Sequence, residues 1–223
     1  MLSKAQEKLI RSLRTGKGRE TSGKCLVEGA KAIATAGNAV EFTFSRADTP
    51  EFDKLATTET PQDAAAVARI PKWSEEDIAD SPTLVVLDGV QDPGNVGAAL
   101  RLCLGFDAAL LLVESADVTA PKVVRASAGA MFQVPWVKMT PRQAEDHLAK
   151  CGRDIFRLEK RSGSVTPSVL DVENDIALIA GSEGQGIRLQ TVGTSIEIPH
   201  DPRLESLNVT HALAIALYCI NHH

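Results

Sequence analysis

The sequence predicts an α/β protein: a mainly parallel sheet in the larger, C-terminal part and a small α/β domain ahead of it. Three observations carry that reading. Apolar runs rich in β-branched residues alternate with helical periods from about residue 83 onward, as expected of strands buried on both faces. The 223 residues are 43% hydrophobic, enough for one large domain or two modest ones. The stretch from Ile70 to Pro82, with Pro71, Trp73 and an acidic run, reads as a linker and sets domains of residues 1–76 and 77–223.

Taken in order, residues 1–19 read as a helix with Leu2, Leu9, Ile10 and Leu13 on one face, broken at Gly16-Lys17-Gly18-Arg19. A short strand over Lys24 to Val27 follows, then a helix from Glu28 to Ala36 closed by Gly37. Val40 to Ser45 reads as a strand and Pro50 to Leu55 as a short helix. Past the linker, Thr83 to Asp88 is a buried strand, and Pro93 opens a helix running to about Leu104. Strands over Ala109 to Val113 and Val134 to Lys138 alternate with helices over Pro121 to Ala130 and Pro141 to Cys151. Ile155 to Leu158, Ile176 to Ala180 and Ser195 to Ile198 read as further strands, and Asn208 to Ile220 as the closing helix.

Three loops at strand ends stand out. The first, Asp88 to Arg101, leaves a buried strand through a Gly/Pro turn and enters a helix, placing Asn95 and Arg101 near the carboxyl edge of the sheet, where open α/β folds bind ligands. Its alternative reading is structural, with Asn95 as a helix cap and Arg101 as a solvated charge. The second, Gly181-Ser182-Glu183-Gly184-Gln185-Gly186, has GxxGxG spacing, which is neither a dinucleotide fingerprint nor a phosphate loop. The third, Ile198 to Val209, joins the last strand to the last helix, and Ser206 or Asn208 suits that helix's N-cap.

Together, NxGxxxR, GSEGxG and IP…ESLNV in this order resemble the SpoU (TrmH) family of S-adenosylmethionine-dependent RNA ribose methyltransferases. The segment Lys122 to Ala130 is similar to the family's KxxRxSxGA. Upstream, Lys17, Arg19, Gly23 and then Val27-Glu28-Gly29 are similar to the opening of its small substrate-binding domain. The resemblance implies an L30e-like N-terminal domain that holds RNA, a knotted C-terminal methyltransferase domain of the SPOUT type, and a homodimer.

It further implies transfer of a methyl to a ribose 2′-hydroxyl, without a metal. Arg101 would grip the ribose-phosphate backbone and lower the hydroxyl's pKa, since a guanidinium is a poor base; a substrate phosphate or water would take the proton. Asn95 would orient the ribose, and Glu183, Ser206 and Asn208 would complete the catalytic set. S-adenosylmethionine would rest on backbone around Gly181, Ile198 and Leu207, with Gly186 and Pro199 beside them. One position departs from the pattern: His200 stands where members commonly carry Met. The analogy favours ribosomal over transfer RNA; a non-catalytic RNA-binding relative and a nucleotide-dependent oxidoreductase are the other classes considered.

The formal charge of −5 argues against nucleic acid until it is divided. Residues 1–24 carry seven basic and two acidic side chains, a balance of +5 that leaves −10 for the rest. Arg11, Arg14, Lys17 and Arg19 within that cluster are the expected RNA contacts. Four scattered cysteines without a CxxC pair imply reduced thiols and no metal cage, and the absence of a long apolar run implies no membrane span and a cytoplasmic protein.

Overall fold

The computed structural model describes residues 1–58, 63–170 and 174–222. The N-terminal part begins with helices α1 (Lys4–Ser12) and α2 (Gly16–Ser22), followed by strand β1 (Lys24–Glu28), helix α3 (Ala30–Ala36), strand β2 (Val40–Ser45), helix α4 (Phe52–Leu55) and strand β3 (Ala64–Arg69). The glycine-containing stretch expected to end the first helix instead starts a second one, because the Thr15 hydroxyl accepts the Gly18 N–H and caps it. β3 lies between β1 and β2, antiparallel to both. Its sequence, AAAVAR, has helical propensity and no strand signal, but a central strand covered on both faces has room for little beyond alanine.

The expected linker contains helix α5 (Glu75–Ala79), with Ser74 and Asp77 forming a capping box and Ile78 fully buried in the C-terminal core. Beyond it run β4 (Thr83–Asp88), α6 (Pro93–Gly105), β5 (Ala108–Val113), α7 (Pro121–Ala126), β6 (Trp136–Met139), α8 (Pro141–Leu148), β7 (Asp154–Leu158), β8 (Ile176–Gly181), β9 (Thr194–Ile196) and α9 (Val209–Asn221). The helix expected to reach Ala130 stops at Ala126, since Ala128 and Gly129 adopt left-handed backbone at φ 50° and 88°.

The six strands form one parallel sheet in the order β6-β5-β4-β8-β7-β9. Alternation along the central strands divides the core by face. Val85, Leu87, Leu110, Leu112 and Leu178 point to one side; Leu84, Val86, Leu111, Val113 and Ile179 point to the other. The first of these cores also takes Cys25, Val27, Ala66 and Ala68 from the N-terminal sheet, so the two sheets share one apolar interior. Burial there pushes the thiols of Cys25 and Cys103 up to about 12, which leaves them protonated and unreactive. Among the described residues, no helix is long and apolar enough to cross a membrane.

Candidate active site

The carboxyl ends of β4, β5 and β8 open into a crevice, because chain leaving β4 crosses to β5 on one side while β8 returns on the other. All three sequence loops contribute to it. Asp92 caps α6 by accepting the Asn95 N–H at 2.8 Å, so Asn95 is the third residue inside the helix and not its cap, correcting one sequence alternative. Gly97, two residues further on, is where α7 crosses: a Cβ there would overlap that of Ala126.

Asn208 does cap α9, and it does more. Its Oδ1 accepts the Thr210 N–H at 2.9 Å, while its Nδ2 donates to Glu183 Oε1 at 2.7 Å and to Asn95 Oδ1 at 3.1 Å. Asn95 Nδ2 lies 3.5 Å from the same Glu183 oxygen. One residue from each loop thus meets in a polar triangle, and Glu183 Oε2 has no hydrogen-bond partner among the described residues. Asn95 and Glu183 line a cavity of about 450 Å³ together with Gly89, Gln91, Glu114 and Arg188.

The loop that carries Glu183 is held by a residue that sequence reasoning treated only as a strand end. Asp88 is 1% exposed, and its carboxylate accepts the backbone N–H groups of Arg188 and Leu189 and pairs with the Arg188 guanidinium at 3.3 Å. Hydrogen bonding to the Glu114 carboxylate and the field of Asp88 raise the Arg188 pKa, locking it as a cation. Gly181 serves this same loop: a Cβ at 181 would collide with the backbone of Gly186 and Ile187. Its lack of a side chain is therefore required by the chain's own return, a reason for glycine that the sequence reading did not give.

Ile198, Ser206 and Leu207 line a second, smaller cavity of about 150 Å³, walled by Leu158 and Ile196 and edged by Glu159 and Glu205. Gly181, Gly186 and Pro199 are not among its lining residues, and Ser206 sits here, apart from the triangle. His200 also lines it, with Nδ1 2.7 Å from the Ile198 carbonyl oxygen. Arg101 is exposed on α6 and makes no hydrogen bond or ion pair among the described residues. Six residues of helix place it about 9 Å along the axis from Asn95.

The four expected RNA contacts divide. Lys17 is exposed and free of ion pairs among the described residues, and Arg11 is exposed beside Glu51 at 3.4 Å. Arg14 donates to the carbonyls of Lys54 and Ala56. Arg19 corrects the expectation: it is 5% exposed, and its nitrogens bond Leu13 O at 2.9 Å, Thr119 Oγ1 at 3.0 Å and Asp117 Oδ2 at 2.5 Å. It ties the N-terminal helices to the loop between β5 and α7, and its burial keeps the guanidinium away from a phosphate in solvent. Arg125 and Glu28, both from family-like segments, likewise join the two parts of the chain at 2.8 Å.

The chain matches the model of the SpoU rRNA Methylase family over residues 82–218. It is 33% identical over 172 residues to the 23S rRNA (guanosine(2553)-2′-O)-methyltransferase RlmP of Bacillus subtilis, covering 75% of this chain and 68% of that one. A solved structure of a TrmH-family protein from Porphyromonas gingivalis superposes with TM-score 0.84 at 30% identity, over 99% of this chain and 98% of that one. The AdoMet-bound rRNA methyltransferase of Sinorhizobium meliloti shares the fold, with TM-score 0.84 at 23% identity and coverage of 99% and 95%.

Proposed function

This chain belongs to the SpoU rRNA methylase family, and on that premise we propose that it transfers a methyl group from S-adenosylmethionine to a ribose 2′-hydroxyl of ribosomal RNA. The observation that carries the reading is the triangle of Asn95, Glu183 and Asn208, in which three loops far apart in sequence present hydrogen-bonding groups at one sheet edge. Glu183 Oε2 accepts a ribose hydroxyl proton in a hydrogen bond, and the two asparagines fix that carboxylate's orientation. A carboxylate steadied in this way positions a hydroxyl; the proton itself passes to a substrate phosphate or water.

The second cavity suits the cofactor's adenine, with Leu158, Ile196, Ile198 and Leu207 as apolar walls and polar groups of Glu205 and Ser206 at the edge. S-adenosylmethionine supplies a methyl already activated by its sulfonium, so the reaction does not call for a metal.

Arg101 works from a second protomer in this reading. Leu104, one helical turn beyond it on α6, and Ile215 and Tyr218 on the adjoining α9 are 43%, 40% and 56% exposed. Large apolar side chains on two packed helices form the kind of face that a homodimer covers. A partner docked there receives Arg101, whose guanidinium holds a phosphate beside the target hydroxyl and lowers its pKa.

RNA enters along the N-terminal part, the RNA-holding domain of residues 1–76, over Arg11, Lys17 and a cleft lined by Arg14 and Lys122 that reaches Pro93 at the start of α6. The trefoil knot of the methyltransferase domain and a cytoplasmic location belong to the same proposal. Incubation with methyl-tritiated S-adenosylmethionine and unmodified ribosomal RNA tests it. Label should appear in an alkali-resistant dinucleotide, the mark of a 2′-O-methyl ribose; label in bases alone, or none, contradicts the assignment.

A further inference from the structure

The cavity beside the triangle contains a pair of side chains that the proposed reaction leaves without a task. Arg188 Nη2 bonds Glu114 Oε2 at 2.9 Å and Asp88 Oδ1 at 3.3 Å, while its Nε and Nη1 have no partner among the described residues. Its side chain is 41% exposed, in the wall of a cavity of about 450 Å³. Gly89 makes room for it: a Cβ at that position would lie 2.8 Å from Arg188 Nη2.

Glu114, directly after β5, holds left-handed backbone at φ 43°, a conformation costly for any residue with a side chain. Neighbouring bonds impose it. Gln91 Nε2 donates to the Glu114 carbonyl, Val90 N–H to Ser115 Oγ at 3.0 Å, and Ala116 N–H to the Val90 carbonyl at 2.9 Å. The two loops are stitched together so that a carboxylate and a guanidinium stand side by side at the cavity wall.

The charges exclude a phosphate as occupant. Asp92, Glu114 and Glu183 line the cavity against Arg188, the one lining cation among the described residues, with the Asp88 carboxylate behind. An anion would be repelled, whereas a neutral heterocycle bearing N–H groups would be welcomed. The order of groups is selective as well. A guanidinium N–H beside a carboxylate offers one donor and then acceptors, the complement of guanine's O6, N1–H and N2–H₂ edge. Adenine sets a donor against the arginine, and uracil offers a single donor.

We propose that this cavity receives the flipped-out base of the target nucleotide and that Glu114 with Arg188 selects guanine. The proposal rests on the methyltransferase reading, because Asn95 and Glu183 belong to the same cavity and would meet the ribose of a base seated against Glu114.

Saturation-transfer NMR of the full chain, with S-adenosylhomocysteine added to fill the cofactor cavity, tests the pocket without relying on turnover. Guanosine should show transfer, adenosine should not, and Glu114→Gly should abolish the difference. Glycine adopts the φ of 43° freely, so this variant keeps its fold. In the tritium assay the methylated nucleoside should be 2′-O-methylguanosine, with kcat/KM for RNA falling roughly tenfold or more in Glu114→Gly, as for loss of a paired base contact. Equal binding of guanosine and adenosine, or methylation of another nucleoside, overturns the guanine assignment while leaving methyl transfer intact. Selective guanosine binding with no methyl transfer would instead overturn the proposed reaction and leave the pocket.

Discussion

The seam between the two sheets and the crevice at the carboxyl edge are both built from polar residues about a hundred positions apart, yet they handle them oppositely. At the seam, Arg19 spends every nitrogen on Leu13, Thr119 and Asp117, and Asp117 also receives Lys138 at 2.6 Å. Glu28 is bonded by Arg125 and by the Thr57 N–H at 2.7 Å. Groups satisfied and buried in this way hold the two sheets in register. In the crevice, among the described residues, Glu183 keeps an oxygen free and Arg188 keeps two nitrogens free, and further along α6 Arg101 is bonded to nothing. Such groups are left available for a ligand. Exposure and unfilled hydrogen-bonding capacity, more than residue type, separate function from architecture here.

The largest expected effect lies in the crevice. Arg101→Ala and Asn208→Ala should each lower methyl transfer about 100-fold or more, as for loss of a group that aligns reacting atoms. For Arg101→Ala, melting temperature and cofactor affinity by calorimetry should stay near wild type; a folding defect would place Arg101 with the seam. At the seam the pattern reverses. Arg19→Ala should cost about 2 kcal/mol in urea unfolding, because it takes a buried donor away from the Leu13 carbonyl, the Thr119 hydroxyl and the Asp117 carboxylate, which then has only Lys138 as a cation. An unchanged midpoint would show that the two sheets are held together by apolar contact alone.

Acid should report on the same seam. Partial burial by itself would raise the Asp117 pKa, but hydrogen bonds from Lys138 and Arg19 hold it well below the usual carboxylate range. A pKa lowered on folding contributes stability above the unfolded value near roughly 4 and loses it as pH falls further. Asp117→Asn should therefore be less stable than wild type at pH 7, and the gap should narrow below about pH 4. A gap independent of pH would contradict the ion-pair account. The smallest effect belongs to Lys17→Ala: RNA affinity should fall a few-fold, and the slope of log affinity against log salt should drop by about one.

How much of this was legible in the sequence follows the same division. The buried strands β4, β5 and β8 announce themselves as apolar runs, and the triangle's residues were marked by the resemblance of three loops taken together. Arg19 was marked too, but a motif shows that a residue matters without showing whether it faces solvent, and only packing revealed Asp117 and Thr119 against it. β3 was hidden because alanine carries no strand signal. Arg188 and Glu114 were hidden because their meeting depends on the β4–β5 and β4–β8 pairings and on a backbone conformation that no residue pattern encodes. An arginine two residues past the glycine-rich loop was the one available hint.

The account's central claim is that the triangle of one protomer and Arg101 of another form a single catalytic centre. Mixing and reassociating Arg101→Ala with Asn208→Ala protomers, each inactive alone, tests it most directly. A mixed dimer then contains one intact centre, so tritium transfer to ribosomal RNA should return to about a quarter of wild type. If the mixture stays as inactive as its components while dimers demonstrably exchange, Arg101 does not act across the interface, and the centre as described here is wrong.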